Sequence, residues 1–372
     1  SSGYKAWEFL LYIFGMCPVI LYGILPRKYW RNFCKLVVGI RILYAHVIRW
    51  ADLRMAQKLL LEFAREFELL YYQRKESRLH FCRQSIHPVA HMAPESGRVG
   101  PLGLVGQWVM ERTIGDLGQE VKQPSNPYAN LSQRGLQCAQ VNALKSVMPD
   151  LEADEDALPR GSVDLGDKYV LLRPMDTVSH EVPYTEADFI NAYWVGAGGH
   201  GAPGGITHVR KWGRVRLANR QNVRSAWKEK ERPLENIRMS RIIKIRGYNG
   251  QQDIAEVQYF YRVRLSPVSP TATREELETG VLTLALVSVF ERPNPMMLDE
   301  LYGAAWIAAY GGRTNLRVIP VKDLIAVVAM VPQVFLPEIY ERRGYIDGMK
   351  CYLLEKPGLD AIYKGRGESM DE

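Results

Sequence analysis

The chain is poor in the signatures that most often name a protein. Its five cysteines (Cys17, Cys34, Cys82, Cys138 and Cys351) are scattered and odd in number, and no C-x-x-C pair occurs. That argues against a disulfide framework and a zinc ribbon and suits a reducing compartment. No Gly-x-Ser-x-Gly elbow, no His-Glu-x-x-His pair and no Gly-Lys-Ser/Thr phosphate loop is present, which removes the common hydrolase, metalloprotease and nucleotide-binding readings. The string Gly196–Gly201 matches G-x-G-x-x-G after the apolar stretch Ala192–Val195, but Pro203-Gly-Gly follows. A helix N-terminus that could hold a pyrophosphate is therefore not expected, and the string reads as a loop. No internal repeat is visible. The start of the chain lacks signal-peptide organisation, with no basic region ahead of its apolar run.

Acidic residues are scarce in one place. Residues 205–246 hold thirteen Lys or Arg against three Glu, whereas the remainder holds 35 basic and 38 acidic residues. One segment thus carries the whole net charge of +7. Arg210, Lys211, Trp212, Arg214, Arg216, Arg220 and Arg224 are the candidate nucleic-acid-binding residues, since Lys and Arg meet phosphates and an interleaved aromatic ring can stack a base. The ordinary alternative is a basic loop leading into a β domain whose tryptophans, Trp212 and Trp227, are core.

At 372 residues the chain can bury two ordinary cores. The expected fold is α+β: an all-helical unit over 1–149, an acidic linker over 150–160, a β-rich mixed or barrel-like domain over 161–355, and a flexible tail over 356–372. In Trp50–Lys75, Leu53, Ala56, Leu60, Phe63, Phe67 and Leu70 recur at steps of three and four, so one helix stripe faces a core while Arg54, Lys58, Glu62, Arg65 and Glu66 face away. Residues 6–25 are apolar and about the length of a membrane span. Pro18 and Pro26 interrupt them, and a buried helix pair is the reading preferred to a membrane anchor. Residues 86–99 read as a connection, Leu102–Lys122 as a helix after Gly100-Pro101, 123–132 as polar turns, and Ser132–Val147 as a further helix. Beyond 160, Ile242–Arg246, a turn at Asn249-Gly250 and a return strand form a hairpin. In the return strand Ala255, Val257, Tyr259, Tyr261, Val263 and Leu265 alternate with Glu256, Gln258, Arg262 and Arg264, as for a sheet with one wet face. Val281–Phe290 and Leu324–Val331 read as central strands, and Met296–Tyr310 as a helix between them.

Residues 87–145 carry a resemblance. His87 and His91, Gly100-Pro101, the run Trp108–Gly115 (WVMERTIG) and the polar run 122–134 are similar to the segment that follows the transposase core in CACTA-like cut-and-paste DNA transposons of mushroom-forming fungi. Lys5–Glu8 and Tyr29–Leu36 fit the same family, and Ala285–Phe290 fits more loosely. The resemblance implies a transposon-derived, transposase-like fragment, nuclear, with DNA and the missing catalytic segment or an intact transposase as partners. In the intact family three carboxylates would hold two Mg²⁺ ions for strand cleavage. The resemblance gives Glu111 the role of the third; the other two would lie upstream of Ser1. The chain is then without autonomous catalysis and holds no cofactor of its own. The plain alternative for Glu111 is a surface Glu–Arg pair. Cys82, His87 and His91 give C-x4-H-x3-H, but no fourth ligand is evident, and the histidines read as structural, packed beneath the Trp108 helix, with no metal site assigned.

Overall fold

The computed structural model describes residues 6–120, 125–148, 158–199, 205–233, 236–247, 251–265, 280–293, 295–333 and 344–354. The chain is α+β, with helices up to residue 147 and an antiparallel sheet region after 163. The acidic run and the C-terminal tail lie outside the described residues, as does the turn at 248–250.

The apolar segment after residue 6 does not run as one helix. It forms α1 (Ala6–Leu11), a wider π-helical turn (Tyr12–Met16) and α2 (Cys17–Ile20). Pro26 then caps α3 (Arg27–Leu43), and α4 (Trp50–Phe67) packs against it. No helix among the described residues is long and apolar enough to cross a membrane. The expected stripe of α4 is real: Ala56, Leu60 and Phe63 are buried with Ile40 and Leu43 of α3. Gly39 is needed there, because a Cβ would stand 2.6 Å from the Leu60 side chain. Glu62 and Glu66 depart from the expectation. Both reach the buried Lys35 of α3, at 2.9 and 2.5 Å. Burial disfavours that ammonium, but the hydrogen bonds it donates to Glu66 and Glu62 outweigh this and hold its pKa above the ordinary value.

The connection expected over 86–99 contains two short helices, α5 (Ile86–Val89) and α6 (Met92–Val99), tied to the α3–α4 core through Val89 and Ala93. The single helix expected at Leu102–Lys122 is broken at Gly106, whose backbone is extended, into α7 (Leu102–Val105) and α8 (Trp108–Glu120). The next helix, α9 (Pro127–Val147), starts five residues early because Pro127 is already suited to a first helical turn. It packs against α8.

Strands β1 (Val163–Asp164), β2 (Val170–Met175), β5 (Trp212–Arg216), β8 (Gln252–Arg264), β7 (Ile242–Arg246) and β12 (Leu324–Val327) follow one another across the main sheet. β6 (Asn222–Arg224) pairs with β5, and β9 (Val281–Val289) lies between β8 and β11 (Leu316–Pro320). Two smaller sheets join β3 (His180–Glu181) to β4 (His208–Val209), and β10 (Ile307–Ala309), β14 (Lys350–Leu354) and β13 (Ala329–Pro332) in that order. Every strand pair described is antiparallel, so the mixed alternative gives way to an antiparallel sheet. Its main core gathers Leu171, Val215, Val223, Ile243, Ala255, Val287 and Leu324 from seven strands.

Strand β8 corrects the wet-face reading. Its register shifts between Val257 and Tyr259. This bulge keeps Ala255, Val257 and Phe260 in the main core and puts Tyr259, Tyr261 and Val263 on the other face. There α10 (Tyr184–Gly196) covers them with Ile190 and Trp194. The helix α10 also occupies Ala192–Val195, so the glycine string follows a helix and not a strand. Val281–Val289 is central and buried on both faces, as its apolar run requires. Leu324–Val331 instead splits after Val327. Val328 donates to the Ile242 carbonyl, and the chain passes from the main sheet into the small one. The helix expected at Met296–Tyr310 is confined to Pro295–Glu300; a turn follows, and Ile307–Ala309 forms β10.

The helical and β parts share a core. Trp30, Cys34, Val37 and Leu59 pack with Leu301, Ala304, Ala305 and Tyr352. Arg41 donates to the carbonyls of Phe14 (2.6 Å), Gly15 (3.2 Å) and Ala304 (2.7 Å). Within the β part a buried ion network holds the loops. Arg241, fully buried, donates to Glu256 at 2.7 Å and Glu229 at 3.3 Å, and Gln258 donates to Glu256 at 3.0 Å. The Tyr310 hydroxyl also donates to Glu256. Burial, with that carboxylate beside it, pushes the Tyr310 phenol up and keeps it a donor.

Two outcomes follow. Arg241→Met strands two buried carboxylates and should cost about 3–5 kcal/mol in urea unfolding; a loss below about 1 kcal/mol would mean the network is solvated. Proteolysis within 149–157 should give two fragments that elute together, because the Trp30–Tyr352 core joins them; separate elution would show that this core does not hold.

Candidate nucleic-acid interface

The basic segment folds into a hairpin and a return loop. β5 and β6 are joined by a tight turn in which Leu217 donates to Gln221 (2.8 Å) and Arg220 to Leu217 (2.9 Å). Arg220 takes a left-handed backbone (φ 64°) and stands exposed at the tip. Asn219 donates to Ile325 at 3.1 Å and Gln221 accepts from Val327 at 2.8 Å, so β12 steadies the tip. The core-facing residues are Val215, Leu217 and Val223. The register then sets Arg214 opposite Arg224 and Arg216 opposite Asn222. After β6 the short helix α11 (Ala226–Glu229) is capped by Ser225, and the chain returns beside β6, with Arg224 donating to the Ser240 carbonyl at 2.9 Å.

That return brings two further arginines to the hairpin. Partial burial first, and the Arg232 charge second, lower the pKa of Arg214. The same two causes lead for Arg224, where Arg214 and Arg238 add to the lowering and Glu229 opposes it. Arg224 therefore lies within range of three other guanidinium groups. Glu229 stands 4.0 Å from Arg224 and also takes Arg241 and the Arg238 backbone amide. Like charges directly opposite across a strand pair are destabilising, and partial burial deepens the cost. An anion bound between them would relieve both.

The structure divides the sequence-derived residues. Arg214, Arg224 and Arg216 share the β5–β6 ladder, and Arg210 and Arg220 are exposed at its two ends. Lys211 turns away to place its ammonium over the Tyr259 ring, 4.3 Å from the centroid. Trp212 is a correction. It is 6% exposed, in register with Phe260 in the main core, so its ring cannot receive a base. Trp227 is half-buried beside the α10-covered core. Arg232 and Arg238 were missed, because they sit in a loop without periodicity; the charge excess of 205–246 was the signal that includes them.

Glu111 is exposed on α8. Among the described residues no group of three or more His, Cys, Asp and Glu side chains is placed to hold a metal ion. The described residues thus offer Glu111 no carboxylate partners for a two-metal centre, and no cleavage step is derived from it. His87 and His91 are also corrected. They are exposed rather than packed under a helix, and their rings lie side by side.

Comparison with protein families, curated proteins and solved structures gives no match.

The chain alone should show no Mg²⁺-dependent nicking of supercoiled plasmid. Nicking that Glu111→Gln abolishes would place the remaining carboxylates within this sequence.

Proposed function

We propose that the chain is a transposase-derived fragment that binds nucleic acid through the backbone phosphates and does not cleave it. The observation that carries the reading is the Arg214–Arg224 pair, opposed across β5 and β6 with Arg232 and Arg238 alongside. Such an arrangement costs folding stability and is explained by an anionic ligand. The transposase side rests on the resemblance of residues 87–145, and a nuclear location goes with it. Exposed apolar side chains on α8 and α9, among them Ile114, Leu136, Val141 and Val147, support a protein partner, for which the family's catalytic segment is the natural choice. The membrane-anchor alternative gains no support, since Cys17 and Val19 of the apolar segment are buried in protein.

Binding should be independent of sequence and sensitive to salt. Four phosphate contacts give a slope of log K against log salt of about −3.6 on duplex DNA. Fluorescence anisotropy with a labelled duplex should show that Arg214→Gln with Arg224→Gln removes most of the affinity. The same double variant should melt no lower than the parent, because it relieves repulsion. Unchanged affinity in that variant would refute the reading.

A further inference from the structure

We propose that His87 and His91 form a two-imidazole chelate for a divalent transition-metal ion. The proposal stands apart from the arginine face. The two rings come from neighbouring elements: His87 lies in α5 and His91 caps α6. Their Nε2 atoms approach to 3.2 Å, with ring centroids 4.8 Å apart and planes inclined at 64°. Zinc–imidazole bonds are about 2.0–2.1 Å long. Two such nitrogens at the observed 3.2 Å separation subtend about 100° at a shared ion. That lies between the square and tetrahedral angles.

The spacing is built into the backbone. Between the two histidines Val89 is buried in the α3–α4 core, and just beyond them Ala93 is buried in the same core. Gln57 of α4 donates to the Ala90 carbonyl at 3.3 Å, and the His91 amide donates to the Pro88 carbonyl at 2.9 Å. The imidazoles are therefore positioned before any ion arrives, and both are open to solvent. Imidazole ligands select copper, nickel and zinc over magnesium and calcium. No third His, Cys, Asp or Glu completes the set among the described residues. Water, or a ligand from outside, would fill the remaining positions.

The same approach also allows a plain N–H···N hydrogen bond between neutral rings, and the experiment separates the two. The full chain, in a Cys82→Ser background so that the exposed thiol takes no part, is titrated by calorimetry with Cu²⁺, Ni²⁺, Zn²⁺ and Mg²⁺. The expected result is one ion per chain, Cu²⁺ tightest and Mg²⁺ undetected. His87→Ala and His91→Ala should each weaken Cu²⁺ binding about a hundredfold, as a chelate reduced to one arm does. Their metal-free melting temperatures should not move, and His180→Ala, at another exposed histidine, should bind as the parent does. Zn²⁺ added to the unsubstituted chain should shift the imidazole resonances of both His87 and His91. Equal affinity in parent and His variants, or imidazole signals unmoved by Zn²⁺, would leave only the hydrogen bond and overturn the proposal.

Discussion

The buried arginine at 241 is the constraint on which the β part depends. Its guanidinium binds Glu229 at the end of α11 and Glu256 in the middle of β8. Its own carbonyl accepts from Val257, one residue before the β8 bulge. A single residue thereby ties the start of β7 to the kink of the longest strand and to the end of α11. In a low-dielectric interior none of these charges is tolerable alone. The arginines around β6 inherit this order. Arg238 is held through its backbone by the same Glu229, and Arg224 lies against it. An interior cation organises a cationic surface, and Glu229 is shared between the two.

The helical part is organised by a comparable economy of charge. Lys35 is buried, and Glu62 and Glu66 from the facing helix satisfy it, with Asn32 donating to the Phe63 carbonyl at 3.1 Å alongside. Helices α3 and α4 are thus registered by a polar contact at one level and by the Gly39–Leu60 approach at another. The fold then presents Trp30 and Val37 toward residues 301–305. Neither part buries its apolar surface completely without the other.

Elements whose burial pattern is uniform were legible in the sequence. The α4 stripe and the doubly buried run of β9 follow from local periodicity, and the existence of the hairpin strands at 242–246 and 252–264 from periodicity with the turn pair between them. The errors share a cause: each turns on one residue where tertiary contacts override that periodicity. Gln258 sits at a bulge and inverts the faces of β8. Val328 lets an apolar run change sheets. Gly106 interrupts a helical pattern. Trp212 looked like a stacking ring because it lies among arginines, but strand alternation gives no face when a bulge stands in the neighbouring strand. Of the candidate site, Arg214, Arg216 and Arg224 were readable from charge density. Arg232 and Arg238 were not, since only the return of the loop along β6 brings them near.

The clamp made by Arg41 has a bearing on how the chain is assembled. Its donors reach back to Phe14 and Gly15 and forward to Ala304, 263 residues away in sequence. Contacts of that span form late, since a long loop must close before they return anything. As the chain leaves the ribosome the N-terminal helices emerge first, and the face bearing Trp30 and Val37 waits for most of the β part to be synthesised. During that interval it is an uncovered apolar surface of the kind that chaperones bind and that aggregation exploits.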